Sequence, residues 1–300
     1  MIQTSTRPVI AGIDGSPDSL RAAHLAAEEA RRRQAPLRLV HVLSSPFRDV
    51  VTVARQPDLP TALRGGAADA LHSLAAELSA VTGDGAGEVT WWVAEGGPVN
   101  VLRDMSAEAQ LLVLGSRGVG GVAGLTLGST ASGVVAHSSC PVVVLPDDLS
   151  VTVSDRRSVV VGVEGSRGDD VVLAFAVEEA AALSTDLVAV HVWRESGLDP
   201  AYLSVGPLLD WEGVRDDEQR VLAEALAGWR EKQPDLHVRE VVLRDKTARG
   251  LLAAALTAQL LVVGHRPRSK VATLTSTIHG VLHRSACPVA VVPLAAQREG

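Results

Sequence analysis

The feature that most constrains the fold of this chain is an internal repeat whose period is about half the chain length. The stretch PVIAGIDGS (Pro8–Ser16) returns as SVVVGVEGS (Ser158–Ser166). Near the end of each copy, HSSCPVVVLP (His137–Pro146) returns as HRSACPVAVVP (His283–Pro293). Solenoid repeats have periods of only about 20–50 residues. The sequence therefore predicts a duplicated domain rather than a repeat array.

Each copy alternates short apolar segments with longer segments of helical periodicity. In the first copy, Ser16 precedes Pro17 at the start of such a segment, which is typical of a helix N-terminus. Predicted strands lie at Val9–Ile13, Leu37–Leu43, Val89–Val93, Leu111–Leu114 and Pro141–Leu145, and predicted helices at Ser16–Arg33, Ala62–Leu78 and Val99–Met105 and from Ser129 onward. Strands and helices in this order are typical of a parallel sheet covered on both faces.

The predicted fold is therefore α/β, with two tandem, doubly wound, five-stranded parallel sheets of the Rossmann-like type. We expect domains at residues 1–147 and 158–300, joined by a polar linker at 148–157. Aromatic residues make up only 3 % of the chain, so the core must consist mainly of Val, Leu and Ala.

Charge and hydropathy exclude several classes of function. The net charge of −7 argues against nucleic-acid binding, which normally requires a basic face. No apolar run reaches the roughly 18 residues of a membrane span, and the N-terminus lacks the apolar segment of a signal peptide. Two distant cysteines provide no disulfide framework. We therefore expect a cytoplasmic protein without membrane insertion.

A glycine-rich loop, GSRGVGGVAGLTLGST (Gly115–Thr130), follows the fourth predicted strand and contains no carboxylate. It is not a P-loop, because Val134 and Val135 stand where Lys and Ser or Thr are required. It is not a dinucleotide fingerprint either, because no acidic residue follows before Pro146. Two interpretations stay open: a loop that cradles an anion at a helix N-terminus, and a pair of tight turns without a ligand.

The glycine spacing resembles that of a known family. Gly115 and Gly118 are separated by two residues, and nine more residues lead to Gly128 and Ser129. This arrangement resembles the G-2x-G-9x-G-[ST] signature of the ATP-binding universal stress proteins. The segments GIDGS, VHV and CPVVVLP are also similar to that family. Because the similarity occurs once in each half, the chain resembles a tandem universal stress protein.

The resemblance implies that the first domain binds ATP, with or without Mg²⁺, and assigns neither catalytic nor metal-ligating residues. Asp14 would lie near the ribose and phosphates, Gly12 would leave room beneath the nucleotide, and the Val42 backbone would meet the adenine edge. The phosphates would be wrapped by Gly115, Ser116, Arg117, Gly118, Val119, Gly120 and Gly121, and enclosed by Gly128, Ser129 and Thr130. The alternative for Asp14 is a turn residue before Gly15.

The second copy departs from this pattern. Pro267, Thr275 and Glu164 stand where the first copy has Gly118, Gly128 and Asp14, and the loop is shorter by two residues. A proline removes an N–H group and fixes φ, so it cannot replace a glycine that donates its amide to a ligand. We therefore expect a degenerate nucleotide motif, although Arg266, Arg268 and Lys270 leave binding of an anion open.

Recurring histidines and cysteines are assigned structural roles. His41 and His191 recur at equivalent positions of the two halves, and we expect both to be hydrogen-bonded at strand ends. Cys140 and Cys287 each precede a proline, and we expect them to be small buried hydrophobic residues.

The leading functional hypothesis is an ATP-binding stress-response protein that regulates an unidentified protein partner through nucleotide-dependent interaction. The first alternative is a slow ATPase or an ATP-using phosphotransfer enzyme, although no acid–base or nucleophile–base pair is evident. The second alternative is an interaction scaffold without a ligand. The resemblance further implies that the two domains pair pseudo-symmetrically within one chain, and it leaves a homodimer open.

Overall fold

The structure, a computed structural model, describes most of the chain in eight segments. These segments are residues 7–44, 59–83, 87–119, 127–147, 158–166, 168–193, 210–266 and 274–295. The predicted linker at 148–157 and the predicted site residues Gly120 and Gly121 lie outside the described residues. The described residues up to Asp147 form one compact unit, and those from Ser158 onward belong to another.

The first unit is a five-stranded parallel sheet with four helices. Its elements are β1 (Val9–Gly12), α1 (Pro17–Arg33), β2 (Leu37–Leu43), α2 (Leu59–Thr82), β3 (Val89–Glu95), α3 (Pro98–Ser106), β4 (Leu111–Gly115), α4 (Ser129–His137) and β5 (Val142–Leu145). The strand order is β3-β2-β1-β4-β5, and every neighbouring pair is parallel.

The second unit repeats this architecture. Its elements are β6 (Ser158–Val163), α5 (Asp169–Ala182), β7 (Asp186–Trp193), α6 (Trp211–Lys232), β8 (Val238–Arg244), α7 (Thr247–Ala254), β9 (Ala258–His265), α8 (Ser276–Arg284) and β10 (Val289–Pro293). The strand order is β10-β9-β6-β7-β8, again with parallel neighbours. The prediction of an α/β fold with two tandem parallel sheets is confirmed.

Helix α1 shows how local sequence positions the elements around the site. The Ser16 side chain accepts a hydrogen bond from the Ser19 amide at 3.2 Å and so caps the helix, and Pro17 occupies its first turn. The face of α1 that packs on the sheet consists of fully buried alanines, Ala22, Ala23, Ala26, Ala27 and Ala30. Because these side chains are small, the helix can lie close to the strands.

The strand order creates a crevice in the first unit. Strands β2 and β3 lie on one side of β1 in the sheet, and strands β4 and β5 lie on the other side. Connections that diverge in this way leave room outside the carboxyl ends of the two central strands, where ligands of such sheets bind. This crevice is bordered by Ile13 and Asp14, which follow β1, and by the segment Ser116–Val119, which follows β4.

The recurring histidines and cysteines are placed as predicted. The Nδ1 atoms of His41 and His191 lie 2.8 Å from the carbonyl oxygens of Ile13 and Val163, respectively. Cys140 and Cys287 are both buried. Burial raises the pKa of the Cys140 thiol to about 11.

No helix in the described parts of the chain is both long enough and apolar enough to cross a membrane.

Candidate functional site

A cavity of about 540 Å³ opens at the carboxyl ends of the central strands of the first unit. Its floor is apolar, and its opposite side presents backbone and hydroxyl groups. Of the residues predicted for the site, the structure brings Gly12, Asp14, Val42, Gly115, Ser116, Arg117, Gly118, Val119, Gly128, Ser129 and Thr130 together around this cavity. Ligand pockets typically measure about 300–1,000 Å³, so the space is adequate for a small organic ligand.

The apolar floor explains Gly12. A Cβ atom at this position would lie 2.5 Å from Leu114 Cδ2 and 3.3 Å from Leu102 Cδ1. Both leucines line the cavity and are almost completely buried. Gly12 therefore allows two large apolar side chains to pack beneath the space that a ligand would occupy.

Val42 lies where β2 extends beyond its neighbour. The pairing of β1 with β2 ends at Gly12 and Val40, and the Ile13 amide still donates to the Val40 carbonyl at 2.8 Å. Val40 and Val42 direct their backbone groups to the same side, because successive residues of a strand alternate. The backbone of Val42 therefore faces the cavity beyond the end of β1.

Asp14 connects the two loops that border the cavity. Its Oδ1 accepts hydrogen bonds from the Ser16 hydroxyl at 2.6 Å and the Ser16 amide at 3.0 Å. Its Oδ2 accepts one from the Val119 amide at 3.0 Å. Partial burial would by itself raise the pKa of Asp14, but these hydrogen bonds together hold the pKa below its usual value. The carboxylate is therefore ionised at neutral pH.

Gly15 has a φ of +88°, so the turn that follows Asp14 requires a glycine. The sequence left open whether Asp14 is a turn residue before Gly15 or a residue of the ligand site. In the structure Asp14 precedes the turn and also lines the cavity.

The first two glycines of the predicted loop permit close backbone approaches. A Cβ atom at Gly118 would lie 2.3 Å from Asp14 Oδ2. One at Gly115 would lie 2.8 Å from both the carbonyl carbon and the Cβ atom of Asp18, at the start of α1. These glycines therefore bring the β4 loop against the Asp14 carboxylate and against the N-terminus of α1.

Ser116 and Arg117 differ in how their side chains are satisfied. Ser116 is 1 % exposed, and its Oγ has no hydrogen-bond partner among the described residues. The guanidinium of Arg117 forms an ion pair with Asp147 and lies 4.0 Å from Asp18 Oδ2. A buried hydroxyl without a partner costs free energy, so Ser116 is a candidate donor to a ligand, whereas the Arg117 charge is already paired.

The N-terminus of α4 forms the polar side of the cavity. The Gly128 amide donates to the Ser116 carbonyl at 2.7 Å, which brings the two ends of the loop together. No side chain caps α4 in the described part of the chain. Ser129 and Thr130 line the cavity at the first turn. A helix N-terminus with open amide groups carries a partial positive charge and attracts anions.

Comparison with known proteins shows the family. A model described as the universal stress protein family matches residues 5–146 and, separately, 155–293. This chain belongs to the universal stress protein family. It is 36 % identical over 300 residues to the universal stress protein Rv2623 of Mycobacterium tuberculosis, with 98 % of this chain and 97 % of that protein covered.

A second relative agrees with this assignment, and a solved structure shares the fold. The universal stress protein Mb2028c of Mycobacterium bovis is 36 % identical over 293 residues, with 94 % of this chain and 96 % of that protein covered. A solved structure, a universal stress protein from Archaeoglobus fulgidus, is similar in fold with a TM-score of 0.71. Its sequence identity is 20 %, and 98 % of this chain and 99 % of that chain are covered. The resemblance that the glycine spacing indicated is confirmed at the level of the family.

Among the described residues, the second domain of this universal stress protein has a much smaller cavity at the equivalent place. The space lined by Gly162, Glu164 and Thr275 measures about 40 Å³. Val172 and Leu294 line it and lie close to Gly264, where a Cβ atom would be 2.9 Å from Val172 and 3.0 Å from Leu294. The difference between the domains is therefore a difference in side-chain packing as well as in loop sequence.

The organising carboxylate also changes position between the domains. In the first domain, Asp14 accepts from the Ser16 amide. In the second domain, Asp169 accepts from the amides of Glu164 at 3.3 Å and Ser166 at 2.8 Å. Asp169 is equivalent to Ser19 of the first domain, so the carboxylate has moved from the loop onto the first turn of a helix.

Helix α8 differs from α4 in its cap. The Thr275 hydroxyl accepts a hydrogen bond from the Ile278 amide at 3.3 Å, whereas Gly128 provides no side chain. Thr275, which stands where the first domain has Gly128, is therefore a helix cap. Its hydroxyl forms a hydrogen bond with an amide of the first turn of α8, whereas the equivalent amide of α4 has no such side-chain partner among the described residues.

Of the three basic residues in the second loop, only Arg266 belongs to the described part of the chain. Arg268 and Lys270 lie outside it, as does Pro267. The Arg266 guanidinium packs against Gly168, where a Cβ atom would lie 2.6 Å from Nη2.

The sequence patterns missed several residues that build the first site. Leu102 and Leu114 form the apolar floor of the cavity. The Ser19 hydroxyl accepts a hydrogen bond from the Asp14 amide at 3.3 Å, and the Asp147 carboxylate forms an ion pair with Arg117. The Ser16 cap was recognisable, but its bond to Asp14 depends on the turn at Gly15. Asp147 gave no signal at all, because it is distant from Arg117 in sequence.

Proposed function

We propose that this universal stress protein binds ATP in the cavity of its first domain. The observation that carries the proposal is a cavity of about 540 Å³ beside an uncapped helix, set against a cavity of about 40 Å³ beside a capped helix in the second domain. A floor of leucines suits an aromatic base, and an exposed helix N-terminus suits phosphate groups.

Each part of the nucleotide has a matching part of the cavity. The backbone of Val42 beyond the end of β1 suits the hydrogen-bonding edge of adenine. The Asp14 carboxylate suits the ribose hydroxyl groups, because an ionised carboxylate accepts hydrogen bonds strongly. The amides at the start of α4 and the Ser116 hydroxyl suit the phosphates. Any Mg²⁺ would meet Asp14, the sole carboxylate among the described lining residues.

Regulation through bound ATP fits the cavity better than efficient catalysis does. Efficient hydrolysis needs a group that orients the attacking water, and a general base accelerates it further. Asp14 already accepts three hydrogen bonds from Ser16 and Val119, and its lowered pKa makes it a weak base. We therefore propose a nucleotide-dependent regulator of a protein partner in a stress response, located in the cytoplasm. Pairing of the two domains through their last strands and association into a homodimer stay predictions.

Release of bound nucleotide from purified protein tests this proposal. The full-length protein, desalted and then denatured, is analysed by anion-exchange chromatography. Adenine nucleotide near one equivalent per chain, released by wild type but not by a Gly128→Thr variant, would support the proposed site. Release of ADP alone, with turnover of added ATP, would favour the slow ATPase. If no nucleotide is released and added ATP does not bind, the protein is a scaffold without a nucleotide.

A further inference from the structure

Two histidines on one face of α8 form a cluster that the nucleotide cavity does not use. His279 and His283 are four residues apart on the helix, so their side chains lie one above the other. Their ring centroids are 4.1 Å apart, and their Nε2 atoms are 3.1 Å apart. His279 is exposed, and His283 is half-buried. The two Nε2 atoms therefore lie side by side on this face of the helix.

We propose that His279 and His283 form a bidentate site for a divalent transition-metal ion of the class that prefers imidazole, with Cu²⁺ bound most tightly. Metal–nitrogen bonds to histidine are about 2.0–2.1 Å long. Two nitrogens 3.1 Å apart then subtend an angle of about 98° at the metal. This angle lies between those of square-planar and tetrahedral sites, so the pair accommodates either geometry. Among the divalent ions that imidazole binds, Cu²⁺ forms the strongest complexes.

The contact between the two rings also bears on how a metal would bind. A neutral imidazole has the lone pair that a metal requires. Without metal, the short distance between the Nε2 atoms fits a hydrogen bond from one ring to the other. Binding replaces that shared proton with the metal, and the ring that carried it on Nε2 keeps a proton on Nδ1 instead.

The surroundings make the site open rather than enclosed. Among the described residues, no group of three or more His, Cys, Asp or Glu side chains could hold a metal. Water would therefore complete the coordination, unlike a structural zinc site with four protein ligands. The positive charge of Arg284, on the same helix, opposes the incoming cation. Both features predict exchangeable binding that responds to the concentration of free metal.

The site belongs to the second domain alone. Helices α4 and α8 are equivalent, and the first domain has Ser132 and Ala136 where the second has His279 and His283. A metal held by both histidines links two successive turns of α8 and binds only the folded helix. Metal binding should therefore stabilise the second domain by mass action.

The test uses untagged, full-length protein titrated with CuCl₂ by calorimetry, followed by thermal unfolding with and without one equivalent of metal. Wild type should bind one Cu²⁺ at this site and unfold at a higher temperature with metal. His279→Ala, which alters an exposed side chain, should weaken that binding at least tenfold, because the second bond of a chelate forms intramolecularly. His283→Ala should have the same effect, with circular dichroism as the check on folding.

Two further variants separate chelation from general histidine binding. His137→Ala removes an exposed histidine of α4 whose Nδ1 lies 2.8 Å from the Gly133 carbonyl, and it should leave Cu²⁺ affinity unchanged. Arg284→Gln removes the opposing charge and should tighten binding severalfold. Equal Cu²⁺ affinity in wild type and His279→Ala would overturn the proposal, and so would an equal loss in His137→Ala.

Discussion

Replacing Gly118 by alanine is expected to weaken ATP binding by roughly 10- to 150-fold without unfolding the protein. The φ of Gly118 lies outside the left-handed region, so the backbone tolerates alanine. The new Cβ atom, however, would lie 2.3 Å from Asp14 Oδ2, so the carboxylate must move. It then loses its hydrogen bond from the Val119 amide, which orders the loop beside the cavity.

The expected loss follows from the kind of hydrogen bond that is broken. Hydrogen bonds to charged groups contribute about 1.5–3 kcal/mol. A tenfold change in affinity corresponds to about 1.4 kcal/mol. Without this hydrogen bond, part of the binding free energy of ATP must be used to order the loop. The affinity for ATP then falls by roughly 10- to 150-fold. Gly65→Ala is the matched control, because a Cβ atom at this exposed position of α2 meets no atom within 4 Å.

A double-mutant cycle isolates the cause. Calorimetric ATP titrations are performed with wild type, Gly118→Ala, Asp14→Ala and the double variant. With Asp14 truncated, the new Cβ atom has room, so Gly118→Ala should change ATP affinity less than about twofold in that background. Wild-type affinity in Gly118→Ala would refute the reasoning, and so would an equally large loss in the Asp14→Ala background.

Three further predictions concern the helix caps, the site carboxylate and a buried thiol. Gly128→Thr gives α4 a side-chain cap like the one that Thr275 gives α8, and it places a Cβ atom 3.3 Å from the Ser116 carbonyl oxygen. Both changes affect the helix end proposed to bind the phosphates, so calorimetry should show at least tenfold weaker ATP binding. The reciprocal Thr275→Gly should leave ATP affinity and stoichiometry unchanged. Because the pKa of Asp14 is lowered from 3.8, its carboxylate stabilises the fold above about pH 4, and this contribution is lost as the pH falls through the folded pKa. The difference in urea midpoint between wild type and Asp14→Asn should therefore be constant from about pH 5 to pH 8 and narrow below about pH 4. Burial raises the pKa of Cys140 to about 11, so in a Cys287→Ala variant iodoacetamide should react slowly with native protein and rapidly in urea. Rapid alkylation of that native variant would contradict the buried position of the thiol.

The sequence predicted the strands of the first domain to within two residues, because each is a short apolar run bounded by glycine, proline or polar residues. The helix predicted at 62–78 is instead Leu59–Thr82. Its ends contain Pro60 and polar residues that interrupt the apolar periodicity. Periodicity locates a helix reliably, whereas its ends depend on contacts with the rest of the fold.

The parts of the site that could not be predicted depend on side-chain contacts between distant segments. Position-by-position comparison treats Glu164 as the replacement of Asp14, yet Asp169 accepts the equivalent amide hydrogen bond. The small size of the second cavity likewise could not be predicted without knowing how close Val172 and Leu294 lie to Gly264. A sequence pattern identifies residue types and their spacing, but it does not give these distances.

The most direct test of the central claim is the number of ATP molecules bound per full-length chain, measured by calorimetry in wild type, Gly128→Thr and Thr275→Gly. We expect one ATP per chain in wild type and in Thr275→Gly, and strongly weakened binding in Gly128→Thr. Two ATP molecules per wild-type chain would contradict this claim, because the second cavity in the described part of the chain, of about 40 Å³, is too small for a nucleotide. A single ATP whose affinity is unaffected by Gly128→Thr would equally contradict it, because the nucleotide would then lie outside the first cavity.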